Sequence, residues 1–367
     1  MNLSIIHLRS SNGLYGAEQV VLELCRQQTE HYPATQLLVF TSPGAAPGAL
    51  LSMALSRKLK ASALHCRGPL DLRCIARLRR KLRADSRSHR VVLHCHDYKS
   101  VVYGGLAATG LPVTCVATLH GWLDDSRRLR LYHWLEAKML CHFQCVCAVS
   151  ETISRQLINQ GIEPDLVRRV DNGIDTHRFR PRLPEATPGQ PGRLLLGTAA
   201  RLSPEKNLGL LIRALAECRD QGRIMHLEIV GEGPEREALE RLIEQLDLSD
   251  QVLLPGSRAG LEDWYPTLDA FVLPSLKEGM PLSVLEALAC GCPVIASAIG
   301  SIPELLDGVP GCRTVPPGDA KALLATLLEL PEPGRPLLAA RERVKRYYSG
   351  ERMATRYAGI YREAILS

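Results

Sequence analysis

Short apolar runs and longer stretches of helical periodicity take turns along this chain. "NLSIIHL" at 2–8 has the continuous apolar character of a strand covered on both faces. The turn-rich "RSSNGLYGAE" follows. In "AEQVVLELCRQQ" the apolar positions then recur three and four apart, as one face of a helix requires. "QLLVFTS", "RVVLHCHD", "PVTCVATLHG" and "FQCVCAVS" repeat the strand pattern, and the small-residue "SVVYGGLAATG" repeats the helical one. At 181–193, "PRLPEATPGQPGR" loses periodicity and predicts an interdomain linker. The alternation then restarts. "RLLLGTAA", "MHLEIVG", "QVLLPG", "AFVLPS" and "PVIAS" read as strands, with "NLGLLIRALAECRDQ" and "PEREALERLIEQLDL" as helices among them. Strand, loop and helix in repetition predict an α/β fold of two doubly wound, Rossmann-like domains. The expected borders are 1–180, the linker 181–193, a second domain 194–345, and a C-terminal helix at 346–367 that packs back on the first domain. Open α/β sheets bind ligands beyond the carboxyl ends of their strands, so two such domains facing each other predict one cleft lined by loops.

The chain's 367 residues suit two cores better than one, and 46% apolar with 23% charged residues is a globular composition. No apolar run approaches 18 residues, so no membrane span is expected. "MNLSIIHLRSSNG" lacks a basic start and a long apolar run, and reads as a strand, not a signal peptide. The 12 cysteines do not space like a disulfide framework and suggest a reducing cytoplasm. "CHFQCVC" and "HCHD" could suggest a metal. Their spacing is far from zinc patterns, however, and the first lies in a strand where cysteine serves as a small core residue, so no metal is expected.

Charge changes the picture. Residues 1–180 hold 24 Lys/Arg against 14 Asp/Glu, and the remainder 21 against 25. The stretch 57–90 has 12 basic and 2 acidic residues. Within it Leu72, Ile75, Leu78 and Leu82 fall at helical spacing with arginines on the other face. That pattern suits peripheral attachment to an anionic membrane surface, or simply a solvated helix packed on a sheet. Nucleic acid is not an expected partner, because aromatic residues, at 5%, are too few to interleave the basic patch.

Two loops carry candidate chemistry. In "ARLSPEKNLGLLI", Arg201 and Lys206 directly follow a strand, a fork and a point charge suited to a diphosphate. In "KEGMPLSVLEALACGCPV", Glu278 and Gly279 lie in a loop and Pro281 fits the first turn of the next helix. The N–H groups of Met280, Leu282 and Ser283 then stand at a helix N-terminus, an anion site. Glu286 follows one turn on. A nucleotide sugar accounts for both carboxylates, one on sugar hydroxyls and one on the ribose, because a carboxylate accepts from two neighbouring hydroxyls. "GEGPE" at 231–235 lacks the third glycine of a dinucleotide fingerprint and continues with Pro234, which argues against NAD.

These motifs, with "SNGLYGAEQVVLEL", "TLHGW", "AVSETISRQL" and "DNGIDTHRFRP", closely resemble glycosyltransferase family 4, a retaining group with the GT-B fold. The likeness extends over nearly the whole chain. It implies that Arg201 and Lys206 hold the donor diphosphate and that Glu278, with Gly279, Met280, Pro281 and Leu282, meets the donor sugar. It implies that Glu286 holds the ribose, that the base lies near Ser257 and Arg258, and that the Gly13–Gly16 loop approaches the donor phosphate. His120 would stand at the reaction centre, so that His120, Arg201, Lys206 and Glu278 form the catalytic set. Tyr15, His96, Asp97 and Lys99 would meet an acceptor. The implied activity is transfer of a sugar from a nucleotide-diphosphate sugar to a glycan or lipid-linked acceptor, in cell-surface polysaccharide synthesis. No cofactor is implied beyond the donor, and the location implied is cytoplasmic, peripheral to the inner face of the membrane. A sugar-nucleotide epimerase, or a non-catalytic nucleotide-sugar-binding protein of the same fold, is the alternative.

Overall fold

A computed structural model describes residues 3–11, 13–68, 70–120, 135–181, 194–331 and 337–366. The chain forms two compact units, Met1–Gly173 with Gly350–Ser367, and Ile174–Ser349. The crossing points lie at 173 and 349, not at the expected 180 and 345. Of the segment read as a linker, residues 182–193 lie outside the described residues.

The first unit is a seven-stranded sheet of order β3-β2-β1-β4-β5-β6-β7. Its strands are β1 (Leu3–Arg9), β2 (Gln36–Thr41), β3 (Ala61–His65), β4 (Arg90–Cys95), β5 (Val113–Leu119), β6 (Cys145–Ala148) and β7 (Val167–Arg169). All pairings are parallel. The helices are α1 (Gly16–His31), α2 (Ala49–Ser56), α3 (Leu72–Asp85), α4 (Tyr98–Ala108) and α5 (Glu151–Asn159). The strand order reverses between β1 and β4, so the loops after these two strands stand at the switch point where open α/β sheets bind ligands. The C-terminal helix returns to this unit, as expected. It buries Met353, Tyr357 and Tyr361, and Tyr361 hydrogen-bonds Gln28 of α1.

Helix α3 resolves the basic stretch. Its apolar side, Cys74, Leu78 and Leu82, is buried within the unit, and Asp71 caps its start by accepting from the N–H groups of Arg73 and Cys74. Of the predicted stripe, Leu78 and Leu82 are therefore core, whereas Ile75 is half-buried and Leu72 exposed. Arg73, Arg77, Arg80 and Arg83 remain exposed, beside Leu70 and Leu72.

The second unit repeats the theme with order β10-β9-β8-β11-β12-β13. Its strands are β8 (Leu194–Ala199), β9 (Met225–Val230), β10 (Val252–Gly256), β11 (Ala270–Leu273), β12 (Val294–Ser297) and β13 (Arg313–Val315). The helices are α6 (Leu208–Asp220), α7 (Arg236–Gln245), α8 (Leu261–Trp264), α9 (Leu282–Ala289), α10 (Ile302–Leu306), α11 (Ala320–Leu328) and α12 (Leu338–Tyr347), and α13 (Gly350–Leu366) is the returning helix of the first unit. Leu211, Ile212 and Leu215 of α6 pack with Leu196, Leu227, Ile229 and Val272 of the sheet into one core. Here the order reverses between β8 and β11.

All twelve cysteines are free, and only Cys141 is exposed. Cys145 and Cys147 are core residues of β6. No helix among the described residues is long and apolar enough to cross a membrane.

Candidate active site

In the second unit, the reversal of strand order brings together the loops after β8 and β11. They are tied directly, since the N–H of Leu276 donates to the carbonyl of Glu205 at 2.7 Å. Lys206 ends a short 3-10 turn, and its Nζ lies 2.6 Å from Oε1 of Glu278. The buried Ser275 donates its hydroxyl to the same oxygen at 2.7 Å. Two donors on one oxygen fix the Glu278 carboxylate and leave Oε2 for other partners. Arg201 stands exposed in the same loop as Lys206.

Glycines hold both loops in place by close backbone approach. Gly300, at φ +56, packs on the Glu278–Gly279 backbone. A Cβ there would come within 2.6 Å of the Gly279 oxygen and would also strike that of Glu278. The N–H of Ser301 donates to the Gly279 carbonyl at 3.0 Å, while the buried Ser301 hydroxyl has no partner among the described residues. Gly231, at φ +144, lies against the carbonyl of Ala200, and Gly233 against Leu202. The "GEGPE" stretch therefore serves as a platform for the Arg201 loop.

Pro281 stands one position earlier than expected, at the N-cap, and α9 opens at Leu282. Met280, Pro281 and Leu282 are buried, so any contact from them to a ligand comes through the backbone. Glu286, the fifth residue of α9, does not join the Glu278 cluster. Its Oε2 accepts from the hydroxyl of the fully buried Tyr265 at 2.8 Å. Burial pushes its pKa to about 7, against the Tyr265 hydrogen bond and the Arg178 guanidinium, which favour the charged form, while Glu262 adds to the rise. Arg178 itself pairs with Glu262 at 2.8 Å. Ser257 and Arg258 are exposed beyond β10. Arg258 lies 3.7 Å from Glu228, which accepts from the Trp264 indole at 2.6 Å.

In the first unit, the corresponding reversal joins the loops after β1 and β4. Gly13 and Tyr15 lie in the first loop, Tyr15 half exposed, and Gly16 opens α1. Arg9 braces this loop through Glu18, with Nη2 to Oε1 at 2.7 Å, and Glu18 in turn accepts from the Tyr15 N–H at 2.9 Å. Burial alone would raise the Glu18 carboxyl. The Arg9 guanidinium and the N–H of Tyr15 outweigh it and hold the group below its ordinary value. Asp97 accepts from the N–H groups of Ser10 and Ser100 at 2.6 and 2.9 Å, linking the two loops and capping α4. Lys99 reaches back over the Phe40 ring at 4.9 Å.

His96 departs from the role expected of it. It is buried, with Nε2 2.9 Å from His7 Nδ1 and Nδ1 3.4 Å from His120 Nε2. With both ring nitrogens engaged inside the unit, it has none to offer an acceptor. His120 follows β5, and its Nδ1 is buried without a partner among the described residues. His7, His94 and His96 bring one ring nitrogen each within 4.8 Å of one another, a grouping the sequence did not announce because His7 lies in an apolar strand.

Sequence reasoning missed Ser275, Tyr265, Gly300 and Ser301 in the second unit, and His7, Gln28 and Glu18 in the first. Only the "GEG" pair, read for another purpose, left a signal.

Two Rossmann-like units with polar loops at both strand-order reversals define a GT-B protein. Residues 193–332 match the family described as "Glycosyl transferases group 1", and residues 15–178 match "Glycosyltransferase Family 4". The chain belongs to the group 1 glycosyltransferases. It is 32% identical over 229 residues to the amylovoran biosynthesis glycosyltransferase AmsK of Erwinia amylovora, covering 59% of this chain and 54% of that protein. It is 29% identical over 226 residues to the UDP-Gal:alpha-D-GlcNAc-diphosphoundecaprenol alpha-1,3-galactosyltransferase of Escherichia coli, covering 57% of this chain and 58% of that protein. The chain thus spans about half the length of these relatives. The fold is similar to that of Anabaena Alr3699/HepE in complex with UDP, with a TM-score of 0.82 at 19% identity over 98% of this chain and 100% of that one.

Proposed function

We propose that this protein is a retaining, metal-independent glycosyltransferase that moves a sugar from a nucleotide-diphosphate sugar to a glycan or lipid-linked acceptor in polysaccharide synthesis. The observation that carries the reading is the Lys206–Glu278–Ser275 cluster beside Arg201, at the strand-order reversal of the second unit. In this reading Arg201 and Lys206 neutralise the charge that grows on the leaving diphosphate as the glycosidic bond breaks, assisted by the first-turn N–H groups of α9. Two cations of this kind take the place of a metal ion. The held Glu278 carboxylate accepts from donor-sugar hydroxyls, and Glu286 from the ribose. The first unit takes the acceptor.

In this reading the acceptor attacks from the leaving-group face, which keeps the anomeric configuration without a protein nucleophile. The polysaccharide assignment draws on AmsK, and the lipid-linked acceptor on the diphosphoundecaprenol named for the Escherichia coli relative. A basic first unit suits an enzyme working beside anionic lipid.

The test is a panel of UDP-, GDP- and ADP-sugars, scored for nucleotide release with and without lipid-diphosphate-linked sugar acceptors, in excess EDTA. Acceptor-dependent release in EDTA, with the anomeric configuration kept, is expected. Release that needs Mg²⁺ or Mn²⁺ would overturn metal independence. Conversion of the donor to another sugar nucleotide without acceptor would make the protein an epimerase.

A further inference from the structure

The first unit encloses a chain of hydrogen-bonding side chains that runs from α1 to the candidate reaction centre. Gln28 Oε1 lies 2.7 Å from His7 Nε2. His7 Nδ1 lies 2.9 Å from His96 Nε2, and His96 Nδ1 lies 3.4 Å from His120 Nε2. Gln28, His7 and His96 are all buried to within 2%. Burial lowers His7 to about 4 and His120 to about 3, and holds His94 and His96 well below their ordinary value. The Arg9 guanidinium presses His96 and His120 the same way. All four rings are therefore neutral at pH 7.

A neutral imidazole has one N–H and one lone pair, so a chain of such rings transmits direction. An amide oxygen only accepts. His7 must then carry its proton on Nε2, which leaves a lone pair on Nδ1. His96 must donate from Nε2 into that lone pair, and its own Nδ1 is bare. His120 must donate from Nε2 into His96, across the longest link. The end of the chain is a lone pair on His120 Nδ1, which is the buried atom with no partner among the described residues. The Gln28 amide is held in turn, because its Nε2 donates to the Tyr361 hydroxyl at 3.2 Å. The Tyr361 hydroxyl also lies 2.7 Å from His94 Nδ1, and His94 Nε2 lies 2.7 Å from the Thr118 hydroxyl. Turning the Gln28 amide over would reverse the protons of His7, His96 and His120 and put an N–H on His120 Nδ1.

We propose that Gln28, through His7 and His96, sets the tautomer of His120 so that its Nδ1 presents a lone pair to a hydroxyl of a sugar substrate. The three are positioning residues, and His120 alone meets the ligand. The use of the lone pair rests on the glycosyltransferase reading, whereas the tautomer does not. The same grouping of His7, His94 and His96 would hold a metal ion only by giving up these hydrogen bonds, since each of their ring nitrogens already has a partner.

The experiment is long-range ¹H–¹⁵N spectroscopy of the full chain with ¹⁵N-histidine, alongside turnover of the best donor from the panel. In the wild type, His7, His96 and His120 should all show the Nε2–H tautomer, unchanged by EDTA. Gln28→Leu removes the accepting oxygen at similar volume, and should convert His120 to a tautomer mixture and lower kcat about tenfold or more. Affinity for UDP should not change. Gln28→Glu restores an acceptor toward His7 and should restore the His120 signal. Gln28→Met serves if the Leu variant does not fold. An Nδ1–H His120 in the wild type, a His120 signal indifferent to Gln28, or a bound metal removed by EDTA with a shift of these rings would overturn the proposal. A tautomer that shifts while kcat holds would overturn the substrate contact. Failure of the whole donor panel would sink the functional reading and leave the spectra to stand or fall alone.

Discussion

Glu286 offers the sharpest test of how this site is built, because its carboxylate is costly to the fold. In the unfolded chain an ordinary Glu loses its proton near 4.5, whereas in the folded second unit burial holds it to about 7. Between these values the folded state binds more protons than the unfolded one. Stability must therefore fall as pH rises through this window and level off above it. At 1.36 kcal/mol for each pH unit, the separation amounts to about 3 kcal/mol, as an upper figure. Glu286→Gln keeps the shape and an oxygen to accept from Tyr265, but it does not titrate.

The variant should match the wild type at pH 4, gain on it from pH 5 to 7, and exceed it by roughly 2–3 kcal/mol at pH 8. Urea unfolding at each pH measures this. With Trp122 and Trp134 replaced by Phe, the buried Trp264 beside Tyr265 reports the second unit by fluorescence. All other carboxylates cancel in the difference between the two proteins. The same substitution should weaken UDP binding, because a ribose diol donates two hydrogens that an amide oxygen receives less well than a carboxylate. A wild-type minus variant difference that stays flat from pH 5 to 8 would refute the burial argument. Undiminished UDP affinity would remove Glu286 from the ribose.

Three further outcomes are expected. Lys206→Ala and Arg201→Ala should each lower turnover by about 10²–10³-fold, the effect of removing one strong transition-state donor, with an unchanged circular dichroism spectrum; normal turnover in either would exclude that residue. Gly300→Ala should cost about 1–2 kcal/mol for the left-handed backbone alone and should displace the Glu278–Gly279 loop, so kcat should drop at least tenfold while binding of the free nucleotide changes little; a variant with wild-type kcat would show that the loop is not held by this approach. The protein should float with anionic vesicles at low salt and come off near 1 M, where screening shortens to about 3 Å, and replacing Arg77, Arg80, Lys81 and Arg83 with Gln should weaken flotation without changing nucleotide affinity. A wild type that stays in the soluble fraction would leave the basic face merely solvated.

The central strands were legible because a strand buried on both faces is mostly apolar, so β1, β4, β5, β8 and β11 declare themselves in order of sequence. β3, β7 and β13 did not. They are edge or near-edge strands such as "VRR" and "RTV", defined by whom they pair with and not by their own pattern. The cationic loop and the two glutamates could also be read locally, since each follows a strand end. Sequence could not say that Lys206 and Glu278, 72 residues apart, share one hydrogen bond while Glu286, only eight from Glu278, turns to Tyr265. Crossovers of the sheet decide the first, and the face of one helix decides the second. The basic helix shows the same division. Its amphipathic stripe is plain in the letters, but which of its residues meet the core depends on what the fold packs against them: Leu78 and Leu82 are buried and Leu72 is exposed. The histidines mark the limit most clearly: one in a strand, two after "RVVL" and one after "TCVATL" mean nothing singly. Parallel pairing of β1, β4 and β5 puts them side by side in the interior of the unit, and only there does the orientation of one glutamine amide reach as far as His120.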